Sequence, residues 1–206
     1  MTTEIFNTNF DYEAAGFRQR HMEQTFDNFT AVTDRQKEVV QLLIDHAECF
    51  SNRWVILTGQ PGTGKDHLLS ALVKMWIDKN LNRPKVYADT QQGILRKYRT
   101  MAYNTEGMNE EETMRWFLNL DILVIRDVGV KGLTDNERAT MVDMLDHRYN
   151  DRKLVFMSAN LERAEFKTAF DERVASRINE MALKYEGKSS ISCDWDDYRR
   201  TKRTEE

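Results

Sequence analysis

Cysteine is scarce in this 206-residue sequence, with Cys49 and Cys193 the two present and no CxxC pair or Cys/His cluster around either. That spacing excludes a zinc module and a disulfide framework. Two free thiols in a reducing compartment are expected. Proline is equally rare, Pro61 and Pro84 being the two, which argues against a long disordered linker. No apolar run approaches the ~20 residues of a membrane span. The opening MTTEIFNTNF lacks a basic region followed by an apolar core, so it does not read as a signal peptide, and cytoplasmic residence is expected. No internal repeat is evident. An excess of basic charge is also missing: 30 Lys and Arg face 34 Asp and Glu, a net charge of -4. Any contact with nucleic acid must therefore come from local patches.

What is present is ordinary for a soluble globular domain, 40% hydrophobic and 31% charged, with a mean hydropathy of -0.68. The length suits one substantial domain plus a tail. Residues 1–30 read as a polar extension in which Phe6, Phe10, Ala14 and Phe17 fall at helical spacing. Such a face packs on its own domain or docks a partner. A helix then starts at TDRQKEVVQLL, capped by Thr33 or Asp34, with Val39, Leu42, Leu43 and Ala47 on its inner side.

From there strands alternate with helices. RWVILTG, KVYAD, DILVIRD, KLVFMSAN and SSISC read as five strands. KDHLLSALVKMWIDKN, QQGILRKYRTMAY, NEEETMRWFLNL, DNERATMVDMLDHRYND and DERVASRINEMAL read as helices, with Leu68, Leu69, Leu72, Val73 and Trp76 facing inward on the first and Asp135 capping the fourth. A loop is expected at Asn104–Asn109. This alternation implies a parallel, doubly wound α/β sheet over residues 31–206, with ligands at the carboxyl ends of its strands.

GQPGTGKD, between the first strand and its helix, fits the pattern G-x-x-x-x-G-K-[ST] at every position but the last. Gly62 and Gly64 permit positive backbone angles and close approach of phosphate oxygens. The loop amides and the helix N-terminus form an anion cradle, and Lys65 brings a point charge. Nucleotide contacts are expected from Gly59, Pro61, Gly62, Thr63, Gly64, Lys65, Asp66 and His67. Asp66 stands where a Ser or Thr hydroxyl normally ligates magnesium. A carboxylate there repels phosphate, although it remains a competent Mg2+ ligand.

These motifs carry a resemblance. The chain is similar to the bacterial replicative helicase loaders of the DnaC type, and more distantly to the IstB transposition helpers, both AAA+ P-loop ATPases. FDNFTAVTDRQKEVVQLL resembles the segment that opens their AAA+ domain, and GQPGTGKDHLLSAL their nucleotide loop. LDILVIRDVGV resembles their second acidic motif, SANL their sensor 1, DERVASRI their arginine-finger helix and WDDYRRTKR their sensor 2 segment. The resemblance implies ATP or ADP as ligand, with Lys65 on the beta and gamma phosphates, Asp127 activating water and Asn160 polarising it. It further implies Arg177, or its helix neighbour Arg173, as a finger reaching a neighbouring subunit, and Arg199, or the adjacent Arg200, as sensor 2. A finger acting in trans implies self-association or co-assembly with a related loader.

The resemblance also implies a hexameric, DnaB-like replicative helicase as partner, and single-stranded DNA. For DNA the candidates are Arg96, Lys97 and Arg99 around Tyr98, then Tyr103, since cations interleaved with aromatics suit a phosphate backbone and stacked bases. Two departures stand out. About 25 residues precede the AAA+ start, leaving the Phe6/Phe10/Phe17 face as the helicase-contact candidate. A short tail follows SSISC, so a reduced or absent C-terminal lid is expected.

The third departure concerns the metal. The family's acidic strand ends in Asp followed by Asp or Glu, whereas this one reads Arg126 and Asp127. Successive strand residues face opposite ways, so Asp127 is not expected in the place of Arg126. Asp66 and Arg126 would then face each other and pair, with the guanidinium in the space of the Mg2+ ion. Mg2+-dependent hydrolysis would be weak or absent. The alternative is that Arg126 swings away and a water-rich metal site persists.

Overall fold

The computed structural model describes residues 10–80, 84–103, 107–161 and 165–196. Five strands, β1 (Val55–Thr58), β2 (Val86–Thr90), β3 (Ile122–Val128), β4 (Leu154–Ala159) and β5 (Ile191–Ser192), form one sheet of order β2-β3-β4-β1-β5. Every neighbouring pair is parallel. The three central strands β1, β3 and β4 are largely buried apolar runs because helices cover both faces.

Side chains alternate between two cores. Val55, Leu57, Val124 and Phe156 point to one face, where α2 (Asp34–Glu48) and α3 (Lys65–Lys79) pack. Ile56, Leu123, Ile125, Val155 and Met157 point to the other, covered by α4 (Gln91–Tyr103), α5 (Glu110–Leu118), α6 (Asp135–Asn150), the short α7 (Phe166–Ala169) and α8 (Glu172–Met181). The five expected strands are all present. The α2 cap is Thr33, whose hydroxyl accepts from the Gln36 amide. The α6 cap is Thr134 and not Asp135, because Thr134 and Glu137 satisfy each other's backbone amides reciprocally.

The leader differs from expectation. Among its described residues the helix is α1 (Gln19–Met22), and residues 12–16 form turns. Ala14 is exposed while Tyr12, Ala15 and Phe17 are buried in the first core with Phe26 and Phe29. Backbone bonding explains this. The Ala88 N–H on the outer edge of β2 donates to the Ala15 carbonyl at 2.8 Å. Gly16, at φ +84, lies so close that an added Cβ would sit 2.1 Å from the Ala88 oxygen. Of the two readings of this face, packing on its own domain describes residues 10–29; Phe6 lies outside the described residues.

Candidate nucleotide site

Strand β1 delivers the loop 59–64 to the carboxyl end of the sheet. Gly59, Gly62 and Gly64 take left-handed φ values of 137, 91 and 86. Gly64 caps α3, whose first residue is Lys65, so the loop amides and the helix N-terminus converge. Lys65 is buried, with Nζ donating to the carbonyls of Gly59 at 2.8 Å and Gln60 at 2.7 Å. Burial draws its pKa below the usual lysine value, while Cys193, Asp66 and Asp127 act the other way. The Thr63 hydroxyl donates to the Gln60 carbonyl at 3.0 Å, and the Thr63 carbonyl accepts from the Trp195 indole at 2.8 Å. The segment after β5 therefore braces the loop from behind. Both cysteines are free thiols; burial pushes that of Cys193 up to about 12.

A cavity of about 510 Å3 opens over this loop. Pro61, Gly62, Gly64, Lys65, Asp66 and His67 line it together with Asp127 from β3 and Asn160 beyond β4. The loop, the acidic strand and the candidate sensor asparagine thus meet on one cavity. His67 has a second task, its Nε2 lying 2.7 Å from the Thr25 carbonyl of the leader.

The acidic strand departs from the alternation assumed for it. A β-bulge falls between Ile125 and Val128, and Asp127 adopts φ 54. This left-handed residue turns its carboxylate into the cavity, which simple strand geometry disallows. Ser158, buried on β4, ties the two acids: its hydroxyl donates to Asp66 at 2.7 Å and accepts the Asp127 N–H at 3.3 Å. Partial desolvation and then the neighbouring Asp66 charge raise the Asp127 pKa above the usual carboxylate range.

Arg126 runs the other way. It is buried, and Nη2 donates to the carbonyls of Gly16 at 3.2 Å and Ala88 at 3.1 Å. Nη1 lies 2.7 Å from Nε2 and 2.9 Å from Nδ1 of His21. The expected Asp66–Arg126 pair is not formed, and the guanidinium does not occupy the space of a metal ion. The leader holds Arg126 through the Gly16 carbonyl and the His21 imidazole, and Ala88 of β2 adds a second carbonyl, while Nε has no hydrogen-bond partner among the described residues. The ion pair of Asp66 is with Arg20, at 4.0 Å.

The arrangement fits a nucleotide: a glycine cradle, a buried ammonium and a cavity bounded by polar groups. For Mg2+, Asp66, Asp127 and Ser158 present the oxygen donors that a hard cation takes. Among the described residues no group of three or more His, Cys, Asp or Glu converges, so phosphate oxygens and water would complete that shell.

The remaining expected residues lie elsewhere. Arg177 pairs with Asp146 and sits 4.9 Å over the Tyr149 ring, its side chain 22% exposed. Arg173, 3.7 Å from Asp146, is 57% exposed. Of the two, Arg177 is the more firmly held within its own domain and Arg173 the more exposed. Tyr98 is buried in the second core, so it offers no face to a base. Arg96, Arg99 and Tyr103 share one exposed face of α4, Arg99 bonding Glu137 at 3.0 Å. Lys97 is half-buried. Arg199 and Arg200 lie outside the described residues.

Sequence reasoning missed Arg20, His21, Ser158 and Trp195. A hydroxyl near the end of a buried strand, two residues before the asparagine that follows it, was a signal for Ser158. Arg20 and His21 gave none, sitting in a stretch without periodicity.

A parallel sheet of this order, with the phosphate loop after β1, the acid on β3 and the asparagine after β4, defines an AAA+ P-loop protein. The profile of the IstB-like ATP-binding proteins matches residues 9–205, and the chain belongs to that family. It is 27% identical over 190 residues to the replicative helicase loader DnaC of Buchnera aphidicola from Acyrthosiphon pisum, covering 90% of this chain and 73% of that one. Its fold matches a crystal structure of the DnaC helicase loader with a TM-score of 0.69 at 22% identity, over 80% of this chain and 96% of that one. It also matches AMPPCP-bound DnaA from Aquifex aeolicus, with a TM-score of 0.66 at 17% identity, over 88% of this chain and 55% of that one.

Proposed function

We propose that this protein is a DnaC-like helicase loader in DNA replication, an ATP- or ADP-controlled switch that engages a hexameric, DnaB-like helicase and single-stranded DNA in the cytoplasm. The observation that carries this reading is the convergence of Lys65, Asp127 and Asn160 on one cavity in a chain related to DnaC loaders over nine-tenths of its length. Nucleotide would act through its different affinity for two conformations. Hydrolysis is slow, because the position after the loop lysine carries the charge of Asp66 and is already bonded to Ser158. Exposed Arg173 supplies the contact to a neighbouring copy or a related loader, and Arg96, Arg99 and Tyr103 supply the DNA face.

A second reading is favoured by the same Asp66 and Arg126 substitutions: a non-hydrolysing protein that co-assembles with, or inhibits, a loader or helicase. Affinity capture of the full chain from its native cell separates the two. Recovery of the replicative helicase is expected. Recovery of a full-length loader without helicase supports the second reading, and a co-purified transposase would instead make the chain a transposition helper. ATP is expected to bind in EDTA as well as in Mg2+, with little turnover in either. Robust Mg2+-dependent hydrolysis would sink the slow-switch part of the proposal.

A further inference from the structure

The leader does more than cover the first core. Four contacts fix its path beside the cavity: Arg126 to the Gly16 carbonyl and His21, Lys74 Nζ to the Met22 carbonyl at 2.7 Å, and His67 to the Thr25 carbonyl. Between them the chain presents Arg20. Its side chain is 64% exposed, lines the 510 Å3 cavity and has Asp66 as its ion partner at 4.0 Å, the outer limit of contact. The planar fork is therefore not committed to a bidentate carboxylate pair and remains able to take phosphate oxygens.

We propose that Arg20 binds the nucleotide's phosphate chain within its own subunit, opposite Lys65, and that Arg126 is the positioning residue that holds the leader so that Arg20 reaches it. This rests on the reading of the loop as a nucleotide site. The charges argue for it. Asp66, Asp127 and Glu23 bring three carboxylates to a cavity where Lys65 is the loop's cation. Arg20 adds a second cation there and offsets the carboxylate that stands in place of a neutral hydroxyl at position 66. Arg126, at the strand position normally acidic, is turned to the leader; besides its direct charge on Asp66 and Asp127, it serves the site by placing Arg20. Two departures from the family pattern thereby become parts of one device.

The test is ATP binding by calorimetry on the full chain, in EDTA and again in Mg2+, with the melting temperature of each nucleotide-free variant as the control for folding. Arg20→Ala is expected to weaken ATP tenfold or more in EDTA while leaving the nucleotide-free melting temperature unchanged, since the side chain is exposed. Arg20→Lys is expected to recover part of the loss. Arg126→Lys keeps a cation but cannot span His21 and two carbonyls. It is expected to weaken ATP, and the double variant with Arg20→Ala to bind no more weakly than Arg20→Ala alone. If Arg126→Lys does not fold, His21→Asn breaks the same link. Wild-type affinity in Arg20→Ala, with binding abolished in Lys65→Ala, would overturn the role of Arg20 and leave the nucleotide reading intact. Additive losses in the double variant would overturn the positioning role of Arg126. Absence of ATP binding by the wild-type chain in both buffers would overturn the nucleotide reading itself, and the inference with it.

Discussion

At the residue scale, His21 carries a titration that the sequence conceals. Burial first, then the charges of Arg126, Arg20 and Arg18 lower its pKa to about 4, with Asp66 opposing. In the unfolded chain an imidazole titrates near 6.5. The folded state therefore binds fewer protons than the unfolded state between these values. The stability that depends on neutral His21 is complete above pH 6.5 and is lost as pH falls toward 4. Asp127, whose pKa is raised, works in the opposite sense, since the folded state then holds its proton more readily. Comparing urea unfolding of the wild-type chain with His21→Gln cancels the Asp127 contribution. The wild type is expected to lose stability relative to the variant as pH drops from 6.5 to 4. Parallel curves would show that the imidazole titrates alike in the folded and unfolded states.

At the scale of elements, the central strands were legible because they are buried apolar runs, and the loop because glycines and a lysine stand at fixed spacing. The direction of Asp127 was not. Alternation along β3 is a sound rule for a regular strand, and the bulge that breaks it depends on Ser158, a residue of another strand. The leader failed for a similar reason: Phe10, Ala14 and Phe17 have helical spacing, but the edge of β2 offers the Ala15 carbonyl a backbone donor and the Arg126 side chain takes the Gly16 carbonyl, bonds that a helix would forgo. The segment after β5 is also joined to the loop, through the Trp195 indole. That bond fixes the Thr63 carbonyl within the loop. Trp195→Phe keeps a ring but loses the donor. It is expected to weaken ATP roughly three- to tenfold, the worth of one ordinary hydrogen bond. Intrinsic fluorescence is expected to respond to ATP less in the variant than in the wild type.

At the scale of the whole molecule, the two helix layers differ in what they present outward. The layer with α4, α6 and α8 carries Arg96, Arg99, Tyr103 and Arg173, while Arg177 and Asp146 are occupied with each other. Sequence spacing placed both arginines on one face of α8 and the resemblance favoured Arg177, but how firmly each is held depends on an acid and an aromatic ring from α6. If nucleotide-dependent assembly runs through α8, Arg173→Ala is expected to lower the ATP-induced rise in molar mass measured by light scattering. Arg177→Ala is expected instead to lower the melting temperature of the protein. The reverse pattern would restore Arg177 as the reaching residue.

The outer edge of β2 has a consequence for how such a molecule makes contacts. At Ala88 the amide is given to Ala15 and the carbonyl to Arg126, so the backbone at the middle of that strand has nothing left to offer another chain. The opposite edge is β5, two residues long. A sheet closed in this way does not grow by adding strands, and association is left to side chains on helices and loops. Contacts of that kind change with single substitutions, so partner choice can drift in this protein while its framework stays as it is.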